Sequence, residues 1–258
     1  MPGCSSALAA ANVRREPVPS AKRQALRVLV VDVGGTNVKV AFSEADQPRR
    51  FKSGRNLVPD ALVDRVKHLT ADWRYDAITL GYPGAVNGEH PSAEPGNLGQ
   101  GWVGFDFEQA FEAPVRIVHD AALQALGGYR GGRMLFLGLG TGLGSALVSE
   151  RVVLSFELGC LPYSRRETLA DRLGQGGLER HGHDEWQHAV AVVVPQLREA
   201  FTADYVVLGG GNAKHVHPLP EGACRGGNHD AITGGFRLWR DIVEPHDRRP
   251  PPVWRVIS

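Results

Sequence analysis

The chain has 258 residues, 42% of them hydrophobic and 22% charged, and a formal net charge of +1. This composition is that of a globular protein with one large domain or two ordinary ones; it argues against a nucleic-acid or membrane-surface binder, and no apolar run reaches the roughly 18 residues of a membrane span. Cys4, Cys160 and Cys224 are odd in number and far apart, which argues against a disulfide framework and fits a reducing cytoplasm.

Residues 1–26 hold Pro, Arg, Ser and Ala without a lasting period. They read as a disordered tail, with a cleaved targeting peptide as the alternative. "RVLVVDVGGTNVKVAFSE" follows, an apolar run, a Gly34-Gly35 turn and a second apolar run, and predicts a hairpin with a glycine tip. Residues 59–73 predict a helix with Leu62, Val63, Val66 and Leu69 on one face. "AITLGYPGAV" predicts a strand broken by Gly81 and Pro83, and "PSAEPGNLGQGWVGFD" is loop by its Gly and Pro. In "VRIVHDAALQ" a short strand hands over to an Ala- and Leu-rich helix, with His119 and Asp120 at the junction. "RMLFLGLGTGLGSALVSE" repeats the shape of the first hairpin about 105 residues later, too far for a solenoid repeat and fitting a duplicated domain. "DEWQHAVAVVVPQLREAF" predicts a helix, "DYVVLGGGNAKH" a third strand ending in glycines, and "HDAITGGFRLWRDI" a last, Gly-interrupted helix. Strands alternating with helices, plus hairpins, predict an α/β fold with mixed sheets.

A tight Gly/Thr loop after a strand exposes backbone N–H groups that can converge on phosphate oxygens. One such loop could equally be a close-packed turn; three in one chain point to phosphate. The candidates are Gly34, Gly35, Thr36 and Asn37 at the first tip, Gly140, Thr141, Gly142 and Gly144 at the second, and Gly209, Gly210, Gly211 and Asn212 at the third. Asp32, beside the first tip, either caps its own turn or holds Mg²⁺ against phosphates. Lys39 either neutralises phosphate or is solvated. No G-x-x-x-x-G-K-[ST] loop occurs. Asp120 is either a helix N-cap or a general base, and the two roles are compatible.

"DVGGTNVKV", "GYPGAV", "VHDAALQALG", "LGLGTGLGSALV", "FELG" and "VVLGGGNAK" stand in the order typical of ROK-type sugar kinases, which the chain resembles over nearly all of residues 27–240. These kinases belong to the actin-like superfamily with hexokinase, and the resemblance is nearest to the compact branch containing polyphosphate glucokinases. It implies two ribonuclease-H-like domains with a cleft between them: residues 27–119, with helix 229–242 completing that domain, and residues 120–228, followed by a 243–258 tail. It further implies that the first tip holds the transferred phosphate and, through water, a Mg²⁺ on Asp32. The second tip would grip the remaining phosphates and the third would lie near the adenosine of ATP. Gly84, Asn97, His119, Asp120, Glu157 and Cys160 would face the sugar, with Asp120 as the base. For Asn97 an ordinary loop turn is the alternative.

The chain departs from the family pattern at the sugar. Family members carry Asn-Asp where this chain has His119-Asp120, and Glu-x-Gly-His where it has Glu157-Leu-Gly-Cys160. A further family glutamate has only Glu167 as a candidate. Without a Cys-rich cluster beside them, His181 and His183 read as surface residues, and no structural zinc is expected. The resemblance implies a sugar and a phosphoryl donor, ATP or polyphosphate, as small-molecule partners, no nucleic acid or membrane, and leaves room for a homodimer. Arg130, Arg133 and Arg151 are candidates for a polyphosphate track. Two other readings compete with a glucose-phosphorylating kinase. One is a non-catalytic sugar or nucleotide sensor, which the altered pocket residues favour and the retained Asp32 and Asp120 oppose. The other is a repressor, which would need an N-terminal helix-turn-helix module that the sequence does not show.

Overall fold

The computed structural model describes residues 26–227, 229–240 and 254–257. The expected 1–26 tail, apart from Leu26, lies outside the described residues, as do residues 243–253 of the second tail. In chain order the elements are β1 (Val28–Val33), β2 (Asn37–Phe42), β3 (Arg49–Lys52), α1 (Pro59–Leu69), β4 (Ala77–Tyr82), β5 (Val86–Asn87), β6 (His90–Pro91), α2 (Phe107–Phe111), β7 (Val115–His119) and α3 (Asp120–Gly128). There follow β8 (Met134–Leu139), β9 (Leu143–Ser149), β10 (Val152–Phe156), α4 (Leu169–Leu173), α5 (Gln175–Ala200), β11 (Tyr205–Gly209), β12 (Ala223–Arg225), α6 (Asp230–Arg240) and β13 (Arg255–Ile257).

One sheet runs β3-β2-β1-β4-β7 and a second runs β12-β11-β8-β9-β10-β13. Apart from β13 the two orders correspond: an antiparallel three-strand meander whose first strand also pairs in parallel with a fourth strand, which in turn pairs in parallel with a fifth. The repeated hairpin in the sequence is therefore a repeated sheet. Strands β1 and β8 are buried on both faces, which is why they read as continuous apolar runs rather than alternating ones. Leu29, Val31 and Val33 enter a core under α1 and α2, while Val30 faces α6 on the other side. Leu135, Leu137 and Leu139 enter a core shared with α5, while Met134 and Phe136 face α3.

Helices α3 and α6 lie together between the two sheets. The contacts are close because α6 is bare there: a Cβ on Gly234 would stand 2.0 Å from the Leu123 carbonyl oxygen of α3, and one on Gly235 would stand 2.6 Å from Val30 of β1. These are the glycines that interrupt the last helix in the sequence. Polar ties reinforce the seam. Buried Thr79 donates to the Gly235 carbonyl (2.9 Å) and accepts from Trp239 Nε1 (2.9 Å), while Arg116 donates to the Leu238 carbonyl and lies over the Trp239 ring. Gly234→Ala forces backbone against backbone. We expect it to cost about 1–3 kcal/mol, read as a lower urea midpoint at unchanged slope; an unchanged midpoint would show that the helices can part freely.

Three expectations need correction, and one short helix has no counterpart in the sequence reading. The first helix stops at Leu69, where Thr70 Oγ1 turns back to the Val66 carbonyl (2.8 Å), so Trp73 lies outside it and stacks on Phe42 instead. Gly81 does not break β4, which runs to Tyr82; its bare Cα makes room for Leu123 and the Asp32 carboxylate. Helix α2, started by Asp106 accepting from the Gln109 N–H (2.9 Å), is too short for a period to reveal. The last described residues are not tail: β13 pairs in parallel with β10, and Trp254 packs edge-on to Tyr129. No described helix is long and apolar enough to cross a membrane.

Candidate active site

The glycine tips gather around the N-terminus of α3. Between them lie two neighbouring cavities. One, of about 570 Å³, is walled on one side by Gly35, Pro83, Gly84, Gly96 and Asn97, and on the other by the tip from Gly138 to Gly144 and by Glu157, with His119 and Asp120 among the lining. The other, of about 480 Å³, is lined by Asp32, Lys39, the third tip from Gly209 to Gly211, Lys214 and Arg225. The first two tips leave the N–H groups of Gly35, Thr36, Thr141 and Gly142 without a protein acceptor among the described residues, the condition an anion cradle needs.

The third tip is fixed to the second. Gly210 has φ +78°, and a Cβ there would stand 2.6 Å from the Leu139 carbonyl, so only glycine fits. Asn212 follows it, buried, donating its N–H to the Leu139 carbonyl (2.9 Å) and its Nδ2 to the Gly140 carbonyl (3.4 Å). The Gln175 N–H, at the start of α5, takes the same Gly140 oxygen at 2.8 Å.

The handover at residues 119–121 has a specific geometry. His119, not Asp120, caps α3: its Nδ1 accepts from the Ala121 N–H at 3.1 Å. With Nδ1 used as acceptor, the ring proton sits on Nε2, which faces Glu157 Oε1 across 3.9 Å. Asp120 is the first helical residue, with Oδ1 3.2 Å from His119 Nδ1. That approach is no hydrogen bond, because an Nδ1 that accepts from Ala121 has no proton to donate to the carboxylate. Asp120 keeps 32% of its side chain accessible at the floor of the cleft, yet the protein around it raises its pKa. Burial is the main cause and the Glu157 charge adds to it, against His119 and the Ala121 N–H. Asp32 stands directly opposite Lys39 across the β1–β2 ladder, so the two share a face. Burial first, and the Asp120 charge second, push its pKa up to about 6 against the pull of Lys39. The Asp120 charge thus reaches the neighbouring cavity and makes Asp32 harder to ionise.

No family model matches the chain. Over 148 residues it is 30% identical to the bifunctional enzyme NanE/NanK of Brucella melitensis, a stretch covering 52% of this chain and 29% of that enzyme. The chain thus matches under a third of that relative's length. Among solved structures, the inorganic polyphosphate/ATP-glucomannokinase of Arthrobacter sp. strain KM superposes with a TM-score of 0.70 at 20% identity, over 82% of this chain and 97% of that one. A ROK family glucokinase from Streptomyces griseus, in complex with glucose and AMPPNP, superposes with a TM-score of 0.67 at 14% identity, over 83% and 99%. The chain has the fold of the ROK sugar kinases.

Within this ROK fold the structure brings most of the expected residues to the two cavities and sets others aside. Gly35, Gly84, Asn97, His119, Asp120, Gly140, Thr141, Gly142, Gly144 and Glu157 meet in the larger one, and Asp32, Lys39, Gly209, Gly210 and Gly211 in the smaller. The Asn97 amide packs over Gly35, and its buried Oδ1 has no hydrogen-bond partner among the described residues. Gly34, Thr36 and Asn37 shape the first tip, where the Gly34 N–H bonds the Asn37 carbonyl (3.1 Å), but line neither cavity. Asn212 is a strut between tips. Cys160 is exposed and outside both linings.

Glu167 is likewise away from the cleft. It accepts from or pairs with His181 Nε2 (2.7 Å), Arg180 (3.6 Å) and Arg172 (4.0 Å). His181 is therefore a partly buried partner of Glu167 rather than a plain surface residue, while His183 bonds the His215 carbonyl (3.0 Å). No group of three or more His, Cys, Asp or Glu among the described residues is placed to hold a metal. Arg130, Arg133 and Arg151 do not lead to the cleft. They sit at the start of β8 and in the β9–β10 turn, at the end of the hairpin opposite its glycine tip. The basic groups on the smaller cavity are Lys39, Lys214 and Arg225.

Sequence reasoning missed Ser145 and Gln124. Buried Ser145 Oγ donates to the Phe156 carbonyl (2.6 Å) and accepts from the Leu158 N–H (3.2 Å), clamping the backbone on both sides of Glu157. Gln124 lines both cavities. A serine inside "LGSALV" carries no signal in sequence; a glutamine one helical turn after Asp120, in a helix otherwise of Ala, Leu and Gly, does.

Proposed function

We propose that the chain is a sugar kinase that moves a phosphoryl group from ATP or polyphosphate to a hexose hydroxyl, glucose by default, with Asp120 as general base. The observation that carries this reading is the position of the Asp120 carboxylate: first residue of α3, on the floor of a cleft whose walls are glycine tips, with its proton affinity raised by burial. A sugar hydroxyl must lose its proton as the new O–P bond forms, and a carboxylate of raised pKa at hydrogen-bond reach accepts it.

The larger cavity is the acceptor side of this reading and the smaller one the donor side. His119 offers one Nε2–H to a sugar oxygen, and Glu157 accepts from sugar hydroxyls. Asn97, whose Oδ1 lacks a protein partner among the described residues, is a third candidate contact. On the donor side Lys39, Lys214 and Arg225 offset phosphate charge. Asp32 fits a Mg²⁺ reached through water: it is a cavity-wall carboxylate with no protein hydrogen bond among the described residues, and its charge is unstable alone. Such an ion would neutralise charge on the donor phosphates. Glu157 and the first tip come from opposite sides of the acceptor cleft, so closure of the two sides would exclude water, a competing acceptor.

The test is a coupled assay of the purified protein on a sugar panel, once with ATP and once with polyphosphate. We expect turnover with at least one hexose and one donor. Donor binding without turnover on any sugar would mark a non-catalytic binder instead.

A further inference from the structure

The two cavities share two lining residues, Gln124 and Gly210. Gly210 has no side chain, so Gln124 is the side chain common to donor and acceptor spaces. It stands one turn beyond Asp120 on α3, and positions i and i+4 of a helix share a face. Its neighbours Ala121, Ala122, Leu123, Ala125 and Leu126 are buried and apolar. A partly buried amide on such a helix is costly unless something bonds it, yet among the described residues its side chain has no protein hydrogen-bond partner. The structure also keeps the opposing surface bare. A Cβ on Gly209 would stand 3.2 Å from Gln124 Oε1 and 2.5 Å from the Phe136 ring, so the third tip leaves a gap that the glutamine amide borders.

We propose that Gln124 is the amide that contacts the phosphoryl group as it passes from donor to acceptor, a role that rests on the kinase reading above. In the step, the acceptor hydroxyl oxygen bonds to phosphorus while the bond from phosphorus to the donor's bridging oxygen breaks. The departing phosphate keeps that electron pair, and the hydroxyl proton goes to Asp120. Gln124 exchanges no proton; its Nε2–H donates to a non-bridging oxygen of the group in transit. A neutral donor suits this place. A carboxylate here would join Asp32 and Asp120 in repelling phosphate, and a lysine would pair with Asp120 and weaken it as a base. An amide fixed on a helix stabilises developing charge with little reorganisation.

Two measurements test this, on wild type and on Gln124→Ala and Gln124→Glu. In steady-state kinetics we expect kcat to fall about 10²-fold in both variants, the typical loss for one such donor, with the KM values for sugar and donor within about three-fold of wild type. Unchanged urea midpoints would separate this from a folding defect. In NMR spectra the Gln124 side-chain NH₂ pair, assigned by its loss in Gln124→Ala, should move when ADP, Mg²⁺ and aluminium fluoride are added with glucose. If wild type is active and Gln124→Ala keeps its kcat, the proposal is wrong while the kinase reading stands. Resonances that stay in place overturn it whether or not the wild type turns over. Resonances that move in a protein that phosphorylates no sugar overturn the kinase reading and keep Gln124 as a phosphate contact.

Discussion

Asp120→Asn should lower kcat by about 10²–10⁴-fold, the range for loss of a general base, while calorimetric affinities for sugar and donor change little. Asparagine keeps the shape of the side chain and its place as first residue of α3. It also leaves the cap intact, because the cap is the His119 ring and not the carboxylate. What it removes is the proton acceptor. A variant retaining more than a tenth of the wild-type rate would falsify the assignment. The same substitution removes the charge that helps raise the Asp32 pKa, so the Asp32 titration, followed by ¹³C NMR, should move down from about 6. The wild-type rate should fall as pH drops through about 6, as Asp32 takes up a proton, and added Mg²⁺ should displace that limb to lower pH.

Asp32→Asn should stabilise the unliganded protein at pH 7.5 and inactivate it. The folded pKa of Asp32, about 6, lies above its ordinary value of 3.8. The folded state therefore holds the proton more tightly than the unfolded one. Its contribution to stability is complete below about pH 4 and is lost as pH rises through about 6, leaving a buried, repelled charge at neutral pH. The displacement is worth at most about 3 kcal/mol; shared with Asp120 and partly offset by Lys39, a measured gain of about 1–3 kcal/mol is expected. Denaturation at pH 7.5 should show the gain, and at pH 4 the difference should be small. A variant no more stable than wild type at pH 7.5 would mean that the charge is already compensated without a ligand.

Much of this architecture was legible in the sequence because apolar runs, glycine pairs and one acid after a strand are strong local signals. The duplicated hairpin surfaced as a duplicated sheet order, and Asp32 and Asp120 face neighbouring cavities. What failed was three-dimensional bookkeeping. Asn212 is polar and sits in a glycine tip, so it looked like a ligand contact; its amide instead binds a carbonyl 72 residues earlier in the chain. Cys160 and Glu167 inherited roles from family spacing, but the turn after Glu157 carries the first outward, and a hydrogen bond with His181 and ion pairs with Arg180 and Arg172 claim the second. Arginines scattered around a hairpin cannot be assigned to its tip or its base by counting residues alone. His119 shows the converse: the sequence suggests a sugar contact, and the coordinates add that half of its hydrogen-bonding capacity belongs to the helix.

The position of α6 bears on how the chain is made. This helix, from the last part of the chain, covers the face of the first sheet at Val30 and Thr79. During synthesis the first sheet is complete at His119 but can bury that face only once α6 follows from Asp230, about 110 residues later, a delay of about 6–22 s at usual elongation rates. Until then it presents half-covered strands and an unsatisfied Thr79. The protein should therefore depend on chaperones during synthesis more than its size suggests, and chains halted before residue 230 should be protease-sensitive throughout the first sheet rather than only at the break.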